Sequence, residues 1–259
     1  MRKTLLLAGL MLTPVVLVRA QSFDSLEQAL RSPMVVTTLS LDSHDRALKH
    51  LPPELGLLIN LKELNISCLE ELEDLPVEIG NLKKLEKLII DNGNGCQMNV
   101  SIPESIGQLE NLKVLRLYGA LDARVEGNKP RIKNLPKNIS NLKSLEELDL
   151  GRNGLKIFPS QLKLSSNSNL KKFNLSFNEI HELPSFIGEL KNLVELDVSG
   201  NSGIDLPKSL ANLNGLKIFM GNNSLKIREQ QKLRRLFPKV NFEFANEFDG
   251  SNSNEEPGN

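Results

Sequence analysis

One phrase, Leu-x-x-Leu-x-Leu or a close variant, begins at Val36, Leu61, Leu85, Leu112, Leu145, Leu170, Leu193 and Leu216. The intervals between starts are 25, 24, 27, 33, 25, 23 and 23 residues. A second phrase follows at a nearly fixed offset: Leu51-Pro52, Leu75-Pro76, Ile102-Pro103, Leu135-Pro136, Phe158-Pro159, Leu183-Pro184 and Leu206-Pro207. A third, seen as Ile79-Gly80-x-Leu82, Ile106-Gly107-x-Leu109 and Ile187-Gly188-x-Leu190, closes several units. A unit this short cannot bury its own leucine face. Stacked units can, because each shares a continuous core with its neighbours. The chain is therefore constrained to a solenoid.

Each phrase has a local physical reading. In Leu196-Asp197-Val198 the apolar residues alternate, so two side chains point inward and one outward from a short strand. Asn153, Asn178, Asn201 and Asn223 follow their strands, where an amide can satisfy backbone groups at a turn. The proline then fixes a return segment that needs no strand ladder. The Ile-Gly-x-Leu portion reads as a short outer helix or turn. With no Trp, one Tyr and ten Phe, the core must be mainly aliphatic.

These phrases resemble the leucine-rich-repeat class whose unit reads Leu-x-x-Leu-x-Leu-x-x-Asn-x-Leu-x-x-Leu-Pro-x-x-Ile-Gly-x-Leu. The unit from Leu170 to Asn192 matches with Phe173 in place of one Leu, and the resemblance extends over about residues 34 to 240. It implies an α/β horseshoe with a parallel β-sheet on the concave face and short helices or turns on the convex face. Departures fall in the first half. The turn Asn is replaced by His44, then by Cys68-Leu69, Gly93 and Ala120, so the Asn ladder begins at Asn153. The eighth unit, from Leu216, reads as one residue short.

The ends suggest the remaining organisation. Residues 1–20 have the form of a secretory signal: Arg2 and Lys3, an apolar run from Leu5 to Val18, then Val18-Arg19-Ala20 before Gln21. The alternative is a buried N-terminal helix. The run is short for a membrane span, so no transmembrane anchor is expected. Residues 21–33 are expected to cap the solenoid with a helix opened by Asp24-x-x-Glu27, with Phe23, Leu26 and Leu30 on one face. Repeats occupy 34–227. A second cap, 228–248, combines a helix from Glu229 to Phe237 with a strand carrying Val240, Phe242 and Phe244. The polar tail, 249–259, is expected to be disordered. On this reading the chain is a whole exported protein of the periplasm, cell surface or extracellular space.

Outward strand positions line the concave sheet. The central column is expected to read Ser40, Asn65, Ile89, Arg116, Asp149, Asn174, Asp197, Met220 and Glu243. The column before it holds Thr38, Glu63, Lys87, Val114, Glu147, Lys172 and Glu195. The column after holds Asp42, Ser67, Asp91, Tyr118, Gly151, Ser176 and Ser199. The resemblance implies that partners bind this surface, and the candidate residues are Arg116, Tyr118, Asp149, Glu147, Lys172, Asn174, Asp197 and Glu195. Tyr and Arg are enriched at interface hot spots. Against this, Lys and Glu on adjacent strands can simply pair as a solvated face. Enlarged segments at Asn92 to Val100 and Gly119 to Asn134 are expected to emerge on one edge, as a rim beside Tyr118 that joins the concave sheet in the interaction surface.

Other chemistry is sparse. Beyond residue 20 the chain carries 29 basic and 32 acidic residues, with no basic stripe for nucleic acid. Cys68 and Cys96 follow consecutive strands and could form a disulfide, two buried thiols or a redox pair. His44, His50 and His181 show no metal spacing, and no nucleophile elbow or phosphate loop occurs. Five Asn-x-Ser/Thr sequons, at Asn65, Asn99, Asn138, Asn174 and Asn222, arise readily from the repeat itself. The expectation is a non-catalytic module without cofactor, binding a protein first and a glycan second. An intracellular signalling scaffold of the Ras-suppressor type is the rival reading.

Overall fold

The computed structural model describes residues 21–42, 48–92, 96, 98–121, 135–162 and 169–244. The expected signal segment and polar tail, His44 and most of the insertion after Leu121 lie outside them. Ten strands form one parallel sheet in strict chain order. They are β1 (Gln21–Phe23), β2 (Val36–Leu41), β3 (Glu63–Ser67), β4 (Lys87–Asp91) and β5 (Val114–Tyr118). Then follow β6 (Glu147–Asp149), β7 (Lys172–Asn174), β8 (Glu195–Asp197), β9 (Lys217–Phe219) and β10 (Asn241–Glu243). Consecutive strands of a unit repeat are neighbours because each unit returns the chain to the same height, one strand further along.

The inward residues of each strand stack into one aliphatic core. Leu64 and Ile66, Leu88 and Ile90, Leu115 and Leu117, Leu148 and Leu150, and Leu196 and Val198 are all fully buried. On the outer side the chain makes 3₁₀ turns at Pro53–Leu57, Val77–Asn81, Glu104–Gln108, Lys137–Asn141, Ser185–Glu189 and Lys208–Asn212. Each begins after or at a proline whose fixed φ suits entry to the turn. The glycine of the third phrase exists because these turns pack on one another. A Cβ at Gly188 would lie 2.3 Å from the Ser209 carbonyl oxygen, and one at Gly107 would lie 2.4 Å from that of Asn138.

The turn amides form a buried ladder. Asn178 donates to the carbonyls of Leu150 and Leu175, and its Oδ1 accepts from the N–H groups of Asn153 and Leu155. Asn201 donates to Leu175 and Val198 and accepts from Ile180. Asn153 bridges Leu117 and Leu121, and Asn223 bridges Val198 and Asn201. Buried backbone groups at the turns thus find partners one unit away. Sequence reading started this ladder at Asn153. Asn92, offset by one residue, is also buried and donates to the Gly119 carbonyl, so a related contact occurs earlier.

Three expectations about the ends and register are corrected. The first helix, α1 (Leu26–Arg31), is capped by Ser25, which accepts from the Gln28 N–H, and not by Asp24. Phe23 belongs to β1, which pairs with β2 and extends the sheet by one strand before the helix. Near the other end, the short eighth unit shifts its strand: Phe219, not Met220, pairs with Asp197 in the central column, and Met220 is buried. The far cap is α2 (Ile227–Leu236) followed by β10, with Phe237, Val240 and Phe242 closing the core.

Candidate functional site

Strand pairing places the predicted columns side by side. Val114, Glu147, Lys172 and Glu195 are successive neighbours, as are Arg116, Asp149, Asn174 and Asp197. Their charges are largely spent on one another. Lys87 pairs with Glu63 at 3.7 Å, Lys172 with Glu195 at 3.9 Å and Lys217 with Glu243 at 3.3 Å. On the adjoining flank Lys113 meets Glu86, and Lys171 meets Glu146, each at 2.7 Å. These contacts hold the Glu86 and Glu146 carboxyls below the usual carboxylate range, chiefly through the lysine hydrogen bond, and raise Lys113. They are exposed pairs, which tie the face together weakly.

Arg116 is the centre of a tighter group. Its Nη2 donates to Glu147 Oε1 at 3.0 Å, and its Nε lies 3.4 Å from Asp149 Oδ2. Asp149 is buried, at 8% exposure. Burial pushes its carboxyl up, while the Gly151 N–H, the Asn174 amide and the Arg116 charge pull the other way. Asp149 Oδ1 accepts from the Gly151 N–H at 2.9 Å, Asn174 Oδ1 from Ser176 at 2.8 Å and Asp197 Oδ1 from Ser199 at 2.9 Å. Three nominated residues therefore also cap the ends of their own strands, a use that sequence patterning did not expose.

Tyr118 stands beside this group on β5, and its register partner in the next unit is a glycine. A Cβ at Gly151 would lie 2.9 Å from the tyrosine ring, so the ring rests on the bare backbone of that residue. Past the strand ends the ladder continues through N–H contacts of Gly119, Arg152, Phe177 and Gly200 to the next unit. Along this carboxyl edge Cys68, Gly119, Arg152, Phe177, Gly200 and Asn222 all have φ between 52° and 68°. Glycine and asparagine take that conformation readily, whereas other residues lose about 1–2 kcal/mol. Phe177 does so while 50% exposed. Sequence reasoning missed Arg152 and Phe177, since no residue pattern announces a left-handed corner.

The described stems of the enlarged segments leave from the same edge. Asn99 and Leu121 form an antiparallel bridge, and the Val100 N–H donates to Ala120, so the described stems of the two insertions meet. Cys68 and Cys96 are joined as a disulfide, with Cα atoms 5.4 Å apart, which resolves the three alternatives. His50 lies 3.0 Å from Asp74, and His181 lines an open flank groove of about 670 Å³ with Ile157, Phe158 and Phe186.

Residues 169–190 match the Leucine Rich Repeat family. The chain also resembles the leucine-rich-repeat domain of the type III effector XopL, at 25% identity and a TM-score of 0.55, over 77% of this chain and 72% of that one. The chain is a leucine-rich-repeat protein. The ectodomain of the Arabidopsis receptor kinase HAESA, in complex with an IDA peptide hormone, shares the fold. It is 21% identical with a TM-score of 0.56, over 87% of this chain and 37% of that one. A probable serine/threonine-protein kinase, pats1, of Dictyostelium discoideum is 33% identical over 183 residues, 67% of this chain and 5% of the kinase. The disease resistance protein RML1A of Arabidopsis thaliana is 29% identical over 68% of this chain and 16% of its own length. This leucine-rich-repeat chain thus spans only a small part of the curated relatives named here.

Proposed function

We propose that this protein is a non-catalytic, exported leucine-rich-repeat module that binds a protein partner through its concave sheet and carboxyl edge. The observation that carries the reading is the group around Arg116. A guanidinium is held between Glu147 and Asp149, beside a tyrosine ring that rests on a glycine of the next unit. A rigid cation next to a large amphipathic ring is the kind of anchor that dominates interfaces, and fixed side chains lose little freedom on binding. The surrounding Lys–Glu pairs would then form a polar rim rather than supply affinity. Glu147, Lys172, Asn174, Asp197 and Glu195 belong to the same contact face on this reading, with a glycan as the second class of ligand. The peptide-bound HAESA ectodomain has the same architecture, which is consistent with a peptide or protein on such a scaffold.

Export rests on the N-terminal apolar segment and on the Cys68–Cys96 disulfide, which an oxidising compartment would preserve. The intracellular scaffold is the rival. Mass measurement of the N-terminus of the natural protein separates the two, since cleavage before Gln21 supports export and retention of Met1 to Ala20 overturns it. For binding, the test is a crosslinked pull-down from the native surroundings of the protein. The wild-type chain runs beside Arg116→Glu/Tyr118→Ala/Asp149→Lys, verified as folded by circular dichroism. A partner captured by the first and lost by the second supports the concave site. Equal capture overturns it.

A further inference from the structure

The carboxyl edge of the sheet contains a feature that folding alone does not explain. At equivalent corners the chain has Gly119, Arg152, Phe177, Gly200 and Asn222, all left-handed. Glycine or asparagine would fit every one of them without strain. Phe177 instead combines a conformation that bulky residues rarely adopt with a half-exposed ring. That ring lies against Gly200, where a Cβ would come within 2.7 Å of it. Tyr118 lies on Gly151 in the same manner. Two units thus offer aromatic rings on glycine shelves, and Arg152 stands in the unit between them. The strand cations Lys87, Arg116, Lys172 and Lys217 each have a carboxylate partner. Among the described residues Arg152 has none, and it is exposed.

We infer that Tyr118, Arg152 and Phe177 form one recognition element for a protein segment that places a carboxylate beside an apolar or aromatic side chain. Backbone strain kept by an exposed bulky residue points to use rather than to packing. The exposed guanidinium selects an acidic residue, with which it can make a bidentate contact, and the rings of the neighbouring units cover that residue's apolar neighbours. This inference rests on the protein-binding reading above and names the chemistry of the bound segment.

The test pans a displayed library of short random peptides against the purified full-length protein, then measures binding of the enriched peptides to variants. Enriched sequences are expected to pair Asp or Glu with Leu, Phe, Tyr or Trp. Their affinity should fall at least tenfold with Arg152→Ala and with Phe177→Asn. Phe177→Asn should meanwhile leave the melting temperature unchanged or raise it by about 2–4 °C, because it relieves the left-handed corner. A lower melting temperature would make Phe177 a packing residue and overturn the inference. Peptides that bind these two variants normally but are lost on Arg116→Glu would leave the concave reading standing and overturn this one. A library yielding no binder sensitive to Arg152 and Phe177 overturns it as well.

Discussion

The side-chain carbonyl of Asn178 accepts the backbone N–H of Asn153, one full unit away, at 3.0 Å. The same amide also serves Leu155, Leu150 and Leu175, so one side chain satisfies four buried backbone groups in two units. Asn178→Ala should therefore cost about 3 kcal/mol, well above the loss of an ordinary exposed hydrogen bond. Urea unfolding followed by circular dichroism measures this. A loss below about 1 kcal/mol would mean that water replaces the amide at no penalty.

The disulfide should matter about as much, for a different reason. Cys68 and Cys96 are separated by 28 residues. Closing a loop of that length restricts the unfolded chain by about 3.5 kcal/mol at 25 °C. The Cys68→Ala/Cys96→Ala variant should show this loss in urea, and wild-type protein held in reductant should match it.

Gly151 and Tyr118 should be energetically coupled. Gly151→Ala drives a methyl group into the tyrosine ring and should cost about 1–2 kcal/mol. In a Tyr118→Ala background the same change should be nearly neutral, leaving an interaction energy of about 1–2 kcal/mol in a double-mutant cycle. Additive losses would mean that the ring moves aside without resistance.

Asp149 should give stability a specific pH dependence. Burial raises its folded-state pKa above the unfolded value, so in the interval between the two the native state holds more protons. Stability from this group is greatest below that interval and declines as pH rises through it. Asp149→Asn, which can still accept from the Gly151 N–H, should remove the decline. Its stability relative to wild type should grow from acid pH towards neutrality in chemical denaturation. The opposite trend would show that the Arg116 charge outweighs burial.

Periodicity made the horseshoe and most concave columns legible from sequence, because a two-residue alternation fixes which side chains face outward. The register failed at Phe219 and Met220, where Leu216 lies one residue nearer the strand than its counterparts and these two side chains exchange faces, while Glu243 keeps its place in the central column. β1 was missed because Gln21–Phe23 is too short to show alternation, and only its pairing with β2 makes it a strand. The disulfide stayed open in the sequence because the Cys offsets differ between units. Arg116, Tyr118 and Asp149 were found as a neighbourhood. Arg152 and Phe177 were not, since their interest lies in backbone conformation and exposure, which residue identities do not encode.

The sheet adds its strands one by one in chain order, so each unit leans only on the next. Under mechanical load this makes the molecule a zipper rather than a latch: stretched between its termini, it would release length in repeat-sized steps. The exception is the segment locked between Cys68 and Cys96, which would hold back about 100 Å of contour until a reductant cuts it free.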